Sequence, residues 1–206
     1  MAVTLYNKQK QIYDFLCQYI QKNDFAPTLR EIADAMGVSS AATIHEHLSA
    51  LEYKGLIKRS KGKNRSLELV NRTMVKLTEG VDLPISGFIG AGAAIETNNS
   101  NTQTYKVSPE IITGKRRAFI LEVKDDSLSK EFLLQGDRLV LEEDKEINSG
   151  DIIVGTLDNG VAVFKKHYRE ATRIRLEPVY DKDTMPIYAG KVKIQGRVVG
   201  MIRKID

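Results

Sequence analysis

Two residues in the second half of the chain could form a catalytic pair. Ser127 lies in "VKDDSLSKEFLLQGD", just after an apolar strand-like run and at the start of a short helical stretch. A serine at such a turn is exposed, and backbone N–H groups beside it can hold an oxyanion. Helix N-capping is the plainer use of a serine there. Lys165 lies in "GVAVFKKH", where strand alternation puts Val161, Val163 and Lys165 on one face and Ala162, Phe164 and Lys166 on the other. If the first face points inward, desolvation lowers a lysine from roughly 10.4, in extreme cases to about 5–6. A neutral lysine is a general base, and Ser-Lys is a known variant of the serine triad. A lysine that snorkels to solvent fits the same pattern. Ser127 has no evident His–Asp partner, and His167 is the only histidine in this half of the chain.

A third feature is "GFIGAGAAIE", Gly87 to Glu96, with three glycines, three alanines and a single charge. A nucleotide loop would need G-x-G-x-x-G spacing, a preceding strand and a following helix. Here the spacing is G-x-x-G-x-G and "ETNNSN" follows, so a phosphate cradle is excluded. A passive hinge, or a chain slim enough to enter a narrow cleft, remains.

These residues need a framework of strands. From Leu83 onward the β runs "AFILEV", "DRLVLEE", "DIIVGTL", "GVAVFKKH", "RIRLEPV" and "VKIQGRVVGMIRKI" alternate with turn signals such as "LQGD", "NSGD", "LDNG" and "YDKD". Only "DDSLSKEFLL" reads as briefly helical. The expectation is a mostly-β domain over residues 83–206. It follows a linker over 71–82, within "VNRTMVKLTEGVDLP", which shows no clean period.

Residues 1–70 read differently. "NKQKQIYDFLCQYIQKN" spaces Ile12, Phe15, Leu16, Tyr19 and Ile20 as one helical face. Pro27 breaks it. Thr28 and Glu31 form a capping box for "LREIADAM", which stops at Gly37. Ser40 is placed to cap a third helix, "AATIHEHLSALEYKG", that buries Ile44, Leu48 and Leu51. Ala33 is small where two helices cross, and Val38 and Ile44 fill the angle. Strands over Leu56–Arg59 and Ser66–Leu69, joined by the basic "SKGKNR", complete a winged helix-turn-helix of three helices plus a β-wing. Ser40, Ala42, Thr43, His45 and Glu46 face outward near the start of the third helix, where they can meet base edges or phosphates. Lys61, Lys63 and Arg65 of the wing are placed to lie along phosphates. Three packed helices with no ligand would share the helical pattern but not the basic wing. His45 and His47 point to different faces and make a poor metal pair.

Charge agrees with this division. Residues 1–70 carry ten Lys/Arg against seven Asp/Glu, and six of the basic residues fall between Lys54 and Arg65. The rest of the chain carries 21 against 20. A basic patch on a small unit points to nucleic acid. No run of 18 apolar residues is present, so no membrane span is expected. The polar start, "MAVTLYNKQKQ", gives no secretory signal. Cys17 is the only cysteine, set among Phe15 and Leu16, which excludes a disulfide framework and a Cys-rich metal site. A cytoplasmic location is expected, with no cofactor and no metal.

Over essentially its full length the chain resembles the LexA family, the self-cleaving repressors of the bacterial SOS response, within the S24 peptidases. "PTLREIADAMGVSSAATIHEHLSALEYKGLI" resembles that family's winged helix, "VKDDSLSKEFLLQGD" its nucleophile segment, "GVAVFKKHYRE" the strand carrying its lysine, and "GRVVGMIRK" its last strand. "LPISGFIGAGAAI" resembles its cleavage loop, where Ala-Gly is the scissile pair. The resemblance implies an α+β protein with a LexA/signal-peptidase-like second domain, Ser127 as nucleophile, Lys165 as general base and a cut between Ala91 and Gly92. It also implies a homodimer on a pseudo-palindromic double-stranded operator, and cleavage stimulated by a RecA–single-stranded DNA filament. The family restrains itself with a loop usually out of the site and a lysine usually charged. This chain departs from the family pattern at Asp125, where glycine is usual, and at Leu128, Gly90 and Ala94. A phage-type repressor of the same architecture, a UmuD-like or signal-peptidase-like protease acting in trans, and a transcription factor with an inactive peptidase domain are the alternatives.

Overall fold

The computed structural model describes residues 5–60, 67–70, 80–98, 103–144, 146–181 and 183–205. It divides into two compact units. One comprises Met1–Asp82 with Lys106–Ala118, the other Leu83–Tyr105 with Phe119–Asp206.

The first unit is built on three helices, α1 (Asn7–Asn23), α2 (Leu29–Met36) and α3 (Ala41–Tyr53). Ile12, Phe15, Leu16 and Tyr19 of α1 meet Ile32, Ala33, Ala35 and Met36 of α2 and Ile44, Leu48 and Leu51 of α3 in one apolar core. The ends are set locally. Thr28 N–H donates to Glu31 Oε2 at 2.7 Å, and Glu31 N–H donates to Thr28 Oγ1 at 3.2 Å, closing the expected capping box. Tyr19 Oη adds a bond to Glu31 Oε1 at 2.8 Å, so this cap also ties α1 to α2. Gly37 ends α2 in the left-handed region at φ 61°, which glycine adopts freely. Ser40 occupies the N-cap position of α3, yet its side chain makes no capping bond. Thr28→Ala removes an acceptor used by the first turn of α2 and costs about 1 kcal/mol. Calorimetry should show the melting of this unit lowered by roughly 4–8 °C.

Strands β1 (Ile57–Arg59) and β2 (Leu67–Leu69) pair antiparallel, with Lys58 opposite Glu68. Residues 106–118 also belong to this unit, which no local pattern announces. Gln18, 2% exposed, exchanges two 2.9 Å hydrogen bonds with the Ala118 main chain. Lys22 Nζ donates to the Pro109 carbonyl at 3.0 Å and to that of Ile112. Cys17, expected in the helix core, is half-buried on α1, its thiol pushed up to about 12 chiefly by burial.

The second unit is a mixed sheet. Its strands are β3 (Val81–Ile89), β4 (Glu96–Thr97), β5 (Thr104–Val107), β6 (Ala118–Val123), β7 (Arg138–Glu142), β8 (Ile152–Leu157), β9 (Ala162–Arg169), β10 (Ile174–Glu177), β11 (Ile187–Ala189) and β12 (Val192–Ile202). The order across the sheet is β11-β10-β9-β8-β12-β7-β6-β3-β4, with β5 also against β3. One core beneath it joins Ile89, Phe119, Leu121, Val123, Leu128, Leu139, Leu141, Val154 and Phe164. Ile153, Val163 and Leu176 form a second cluster. Both faces of β9 are therefore covered, one by Ala162 and Phe164, the other by Val163.

Two connections position the candidate site. First, β3 and β6 run parallel, with Ile89 level with Val123, so both strands end side by side. Second, β3 turns back into β4, pairing Gly87 with Thr97 and Phe88 with Glu96. The glycine-rich stretch is thus the tip of a hairpin. A Cβ on Gly87 would lie 2.0 Å from the Glu96 carbonyl oxygen, so the hairpin admits no side chain there.

Candidate functional site

After β6 the chain enters a short 3₁₀ helix, Asp126–Glu131. Asp125 caps it: its Oδ1 accepts from Ser127 N–H at 3.0 Å. The Ser127 side chain and amide, in that order of effect, hold the Asp125 carboxyl below the usual carboxylate range. Sequence reasoning expected the amides around Ser127 to be free for an oxyanion. The structure gives the Ser127 amide to Asp125 instead, because a carboxylate stands where a glycine would leave it open.

The hairpin tip is held at three points. Lys124 N–H donates to the Ile89 carbonyl at 2.9 Å, Ala91 N–H to Ser127 Oγ at 2.7 Å, and Ala162 N–H to the Ala93 carbonyl at 2.8 Å. Gly92 takes φ 72° between them, a left-handed turn that costs a β-carbon dearly. The segment Ala91–Gly92 therefore lies against Ser127, two main-chain bonds from amide nitrogen to carbonyl carbon. The expectation that the loop rests outside the site differs from this docked arrangement. A β-carbon on Gly90 would lie 3.4 Å from Asp125 Oδ2 and 3.5 Å from Ser127 Oγ, in ordinary contact.

Lys165 stands opposite Ile153 on β8 and its side chain is 13% exposed. It does not snorkel. Its Nζ pairs with Glu131 Oε1 at 2.5 Å, and the Glu131 side chain is only 5% exposed. Glu131 Oε2 accepts from Val179 N–H at 2.8 Å and Tyr180 N–H at 3.0 Å. Among the described residues no hydrogen bond joins Lys165 to Ser127.

Sequence reasoning missed Glu131, because an acid in "SKEFLL" reads as a solvated helix face. It also missed Phe132, which ends the 3₁₀ helix in the left-handed region at φ 57° and stacks edge-on with Tyr180 at 5.4 Å. Asp137, in the expected "LQGD" turn, receives Arg203 Nε at 2.7 Å and Arg203 Nη2 at 2.6 Å, fixing the turn behind the 3₁₀ helix. His167 is buried on β9, its ring held below the usual histidine range by burial, and makes no bond to Ser127.

In the first unit, Ser40, Ala42, His45 and Glu46 are exposed along α3, and Thr43 is half-buried beside them. Arg59 is engaged by Glu52, with Nε 2.8 Å from Oε2, and by Ser49. Lys61, Lys63 and Arg65 lie outside the described residues, as does most of the expected 71–82 linker. No helix among the described residues is long and apolar enough to cross a membrane.

A winged helix in one unit and, in the other, a serine presented to its own glycine-rich hairpin define a DNA-binding, self-cleaving peptidase class. A family model described as "LexA DNA binding domain" matches residues 3–66, and one described as "Peptidase S24-like" matches residues 84–199. The chain belongs to the LexA repressor family. It is 34% identical to the LexA repressor of Koribacter versatilis over 98% of this chain and 99% of that protein. It is 36% identical to that of Staphylococcus haemolyticus over 98% and 99%, and 35% identical to that of Clostridium botulinum over 96% of each. It is thus a DNA-binding repressor with an S24 peptidase domain.

Proposed function

We propose that this protein represses DNA-damage (SOS) genes by binding pseudo-palindromic operators as a homodimer, and is inactivated by cutting its own Ala91–Gly92 bond. The observation that carries the reading is the 2.7 Å contact from Ala91 N–H to Ser127 Oγ. It supports Ser127 as nucleophile and the adjoining peptide as substrate.

Neutral Lys165 takes the Ser127 hydroxyl proton as Oγ bonds to the Ala91 carbonyl carbon. The tetrahedral oxyanion collapses, the Ala91–Gly92 bond breaks, and the Gly92 amine takes the proton back from Lys165. Water then hydrolyses the ester on Ser127. Tethering makes the attack intramolecular, worth roughly 7–11 kcal/mol when aligned. A RecA–single-stranded DNA filament is the proposed stimulus, as the family implies. Cutting separates residues 1–91 from 92–206, so two winged helices no longer act together on a twofold site and operator affinity falls. Ser40, Ala42, Thr43, His45 and Glu46 are the proposed groove contacts, with Lys61, Lys63 and Arg65 on phosphates.

The pairing of Lys165 with Glu131 favours one second reading, a repressor whose peptidase domain is inactive. One incubation separates the two. At about pH 10, near the ordinary lysine value, purified protein should yield two fragments whose masses place the cut between Ala91 and Gly92. Full-length protein alone would establish the inactive reading, and a cut elsewhere would overturn the assignment of the bond.

A further inference from the structure

The proposed cut does not fall between the two units. Residues 83–91 lie on the N-terminal side of Ala91–Gly92, yet they belong to the second unit. Residues 106–118 lie on the C-terminal side, yet they belong to the first. Each product of the cut therefore leaves part of itself in a fold built mainly by the other.

The first insertion is a strand. β3 has strands of the C-terminal piece on both edges: β6 runs parallel, with Ile85 level with Ile120 and Ile89 with Val123, and β4 runs antiparallel, with Gly87 opposite Thr97. Ile85 N–H donates to the Gln103 carbonyl at 3.0 Å, and Asn98 N–H donates to the Ser86 carbonyl at 2.9 Å. Leu83, Ile85 and Ile89 are buried, and Ile89 packs with Phe119, Leu121 and Val123. Main-chain pairing with alternate side chains in a core is how a sheet holds an extended segment without a covalent bond.

The second insertion lies on α1. Gln18 and the Ala118 main chain exchange two hydrogen bonds, and Lys22 Nζ donates to the Pro109 and Ile112 carbonyls. Arg117 Nη2 lies 3.5 Å from Asp14 Oδ2, with both side chains largely buried. Ile112 and Ala118 are buried, and a Cβ on Gly114 would collide with the Lys22 stem. The bond to be cut supports none of these contacts. Residues 91–94 are exposed at the hairpin tip, and a nick at an exposed tip leaves packed elements in place.

We propose that the two products of self-cleavage stay bound to each other as a nicked complex, residues 1–91 held by β3 in the sheet and residues 92–206 held by the 106–118 segment on α1. The inference rests on the Ala91–Gly92 reading above for the place of the nick, and it adds a second step. Covalent separation comes first. The winged helix parts from the rest of the protein only when both insertions let go, so loss of operator affinity follows dissociation of the pieces rather than breakage of the bond.

The test uses the full chain, cut to completion at about pH 10 and returned to neutral pH. A denaturing gel should show two bands, while size-exclusion chromatography returns both pieces in one peak at the volume of uncut protein. Two separate peaks overturn the proposal. Mixing cut protein with isotope-labelled cut protein, followed by native mass spectrometry, reads how fast the pieces part. Gln18→Ala combined with Lys22→Ala removes hydrogen bonds to the 106–118 segment and should speed this exchange roughly tenfold or more. An unchanged exchange rate overturns the proposal. Should that variant fail to fold, the wild-type chromatogram still decides. If the wild type does not cut itself, the self-cleavage reading falls, and a site-specific protease sequence placed at the hairpin tip of Ser127→Ala supplies the nick instead. One peak from that protein upholds the nicked complex by itself, and two peaks overturn it.

Discussion

Ser127→Ala should remain intact under the alkaline conditions that cut the wild type, a loss of at least ~10³-fold. The hydroxyl accepts a hydrogen bond from the hairpin tip, at 2.7 Å from the Ala91 nitrogen. Removing Oγ deletes the proposed bond-forming atom, while the tip keeps its anchors at Lys124–Ile89 and Ala162–Ala93. The loss is therefore chemical rather than a failure to dock. Lys165→Ala should be equally inert, and the double variant no worse than either, if the proposed nucleophile and base act as one unit. Fragment appearance on a gel, with intact mass, reads all three. Cutting of Ser127→Ala at the wild-type rate would sink the assignment.

Leu48→Ala should abolish operator binding and spare self-cleavage. Leu48 is 1% exposed, packed with Ile12, Phe15, Leu16, Ile44 and Leu51. Truncating it loses transfer energy and leaves a cavity, costing about 2–5 kcal/mol. A unit this small holds only several kcal/mol of stability in all. The outward residues of α3 then lose the rigid helix that presents them. The loop anchors and the Glu131–Lys165 pair all lie in the second unit, so alkaline cleavage should continue at the wild-type rate. Binding to sequences selected from random DNA, measured beside fragment yield, checks both halves. Wild-type affinity in Leu48→Ala would contradict the packing argument.

Much of the architecture is legible because it is local. A capping box needs residues three apart, so Thr28 and Glu31 announce the start of α2 without any tertiary information. Gly37 marks its end for the same reason. The run "AFILEV" coincides with β6, because a covered strand must be apolar on both faces. The alternation around Lys165 leaves an enclosed and a snorkelling lysine both open, and the structure encloses it, its side chain 13% exposed.

By itself the sequence determined the winged-helix pattern, the strand-rich second half and the outward face of α3, since spacing and residue type carry these; the roles of Ser127 and Lys165 came only from the family resemblance. Tertiary structure alone decided which groups meet. Ala91 and Ser127 are 36 residues apart and touch because β3 and β6 run parallel and end level. Glu131 lies 34 residues from Lys165, and its carboxylate accepts from the Val179 and Tyr180 amides, which no periodicity reveals. The docked hairpin and the paired lysine depend on contacts distant in sequence. Local propensity cannot encode these contacts, because strand pairing sets their geometry.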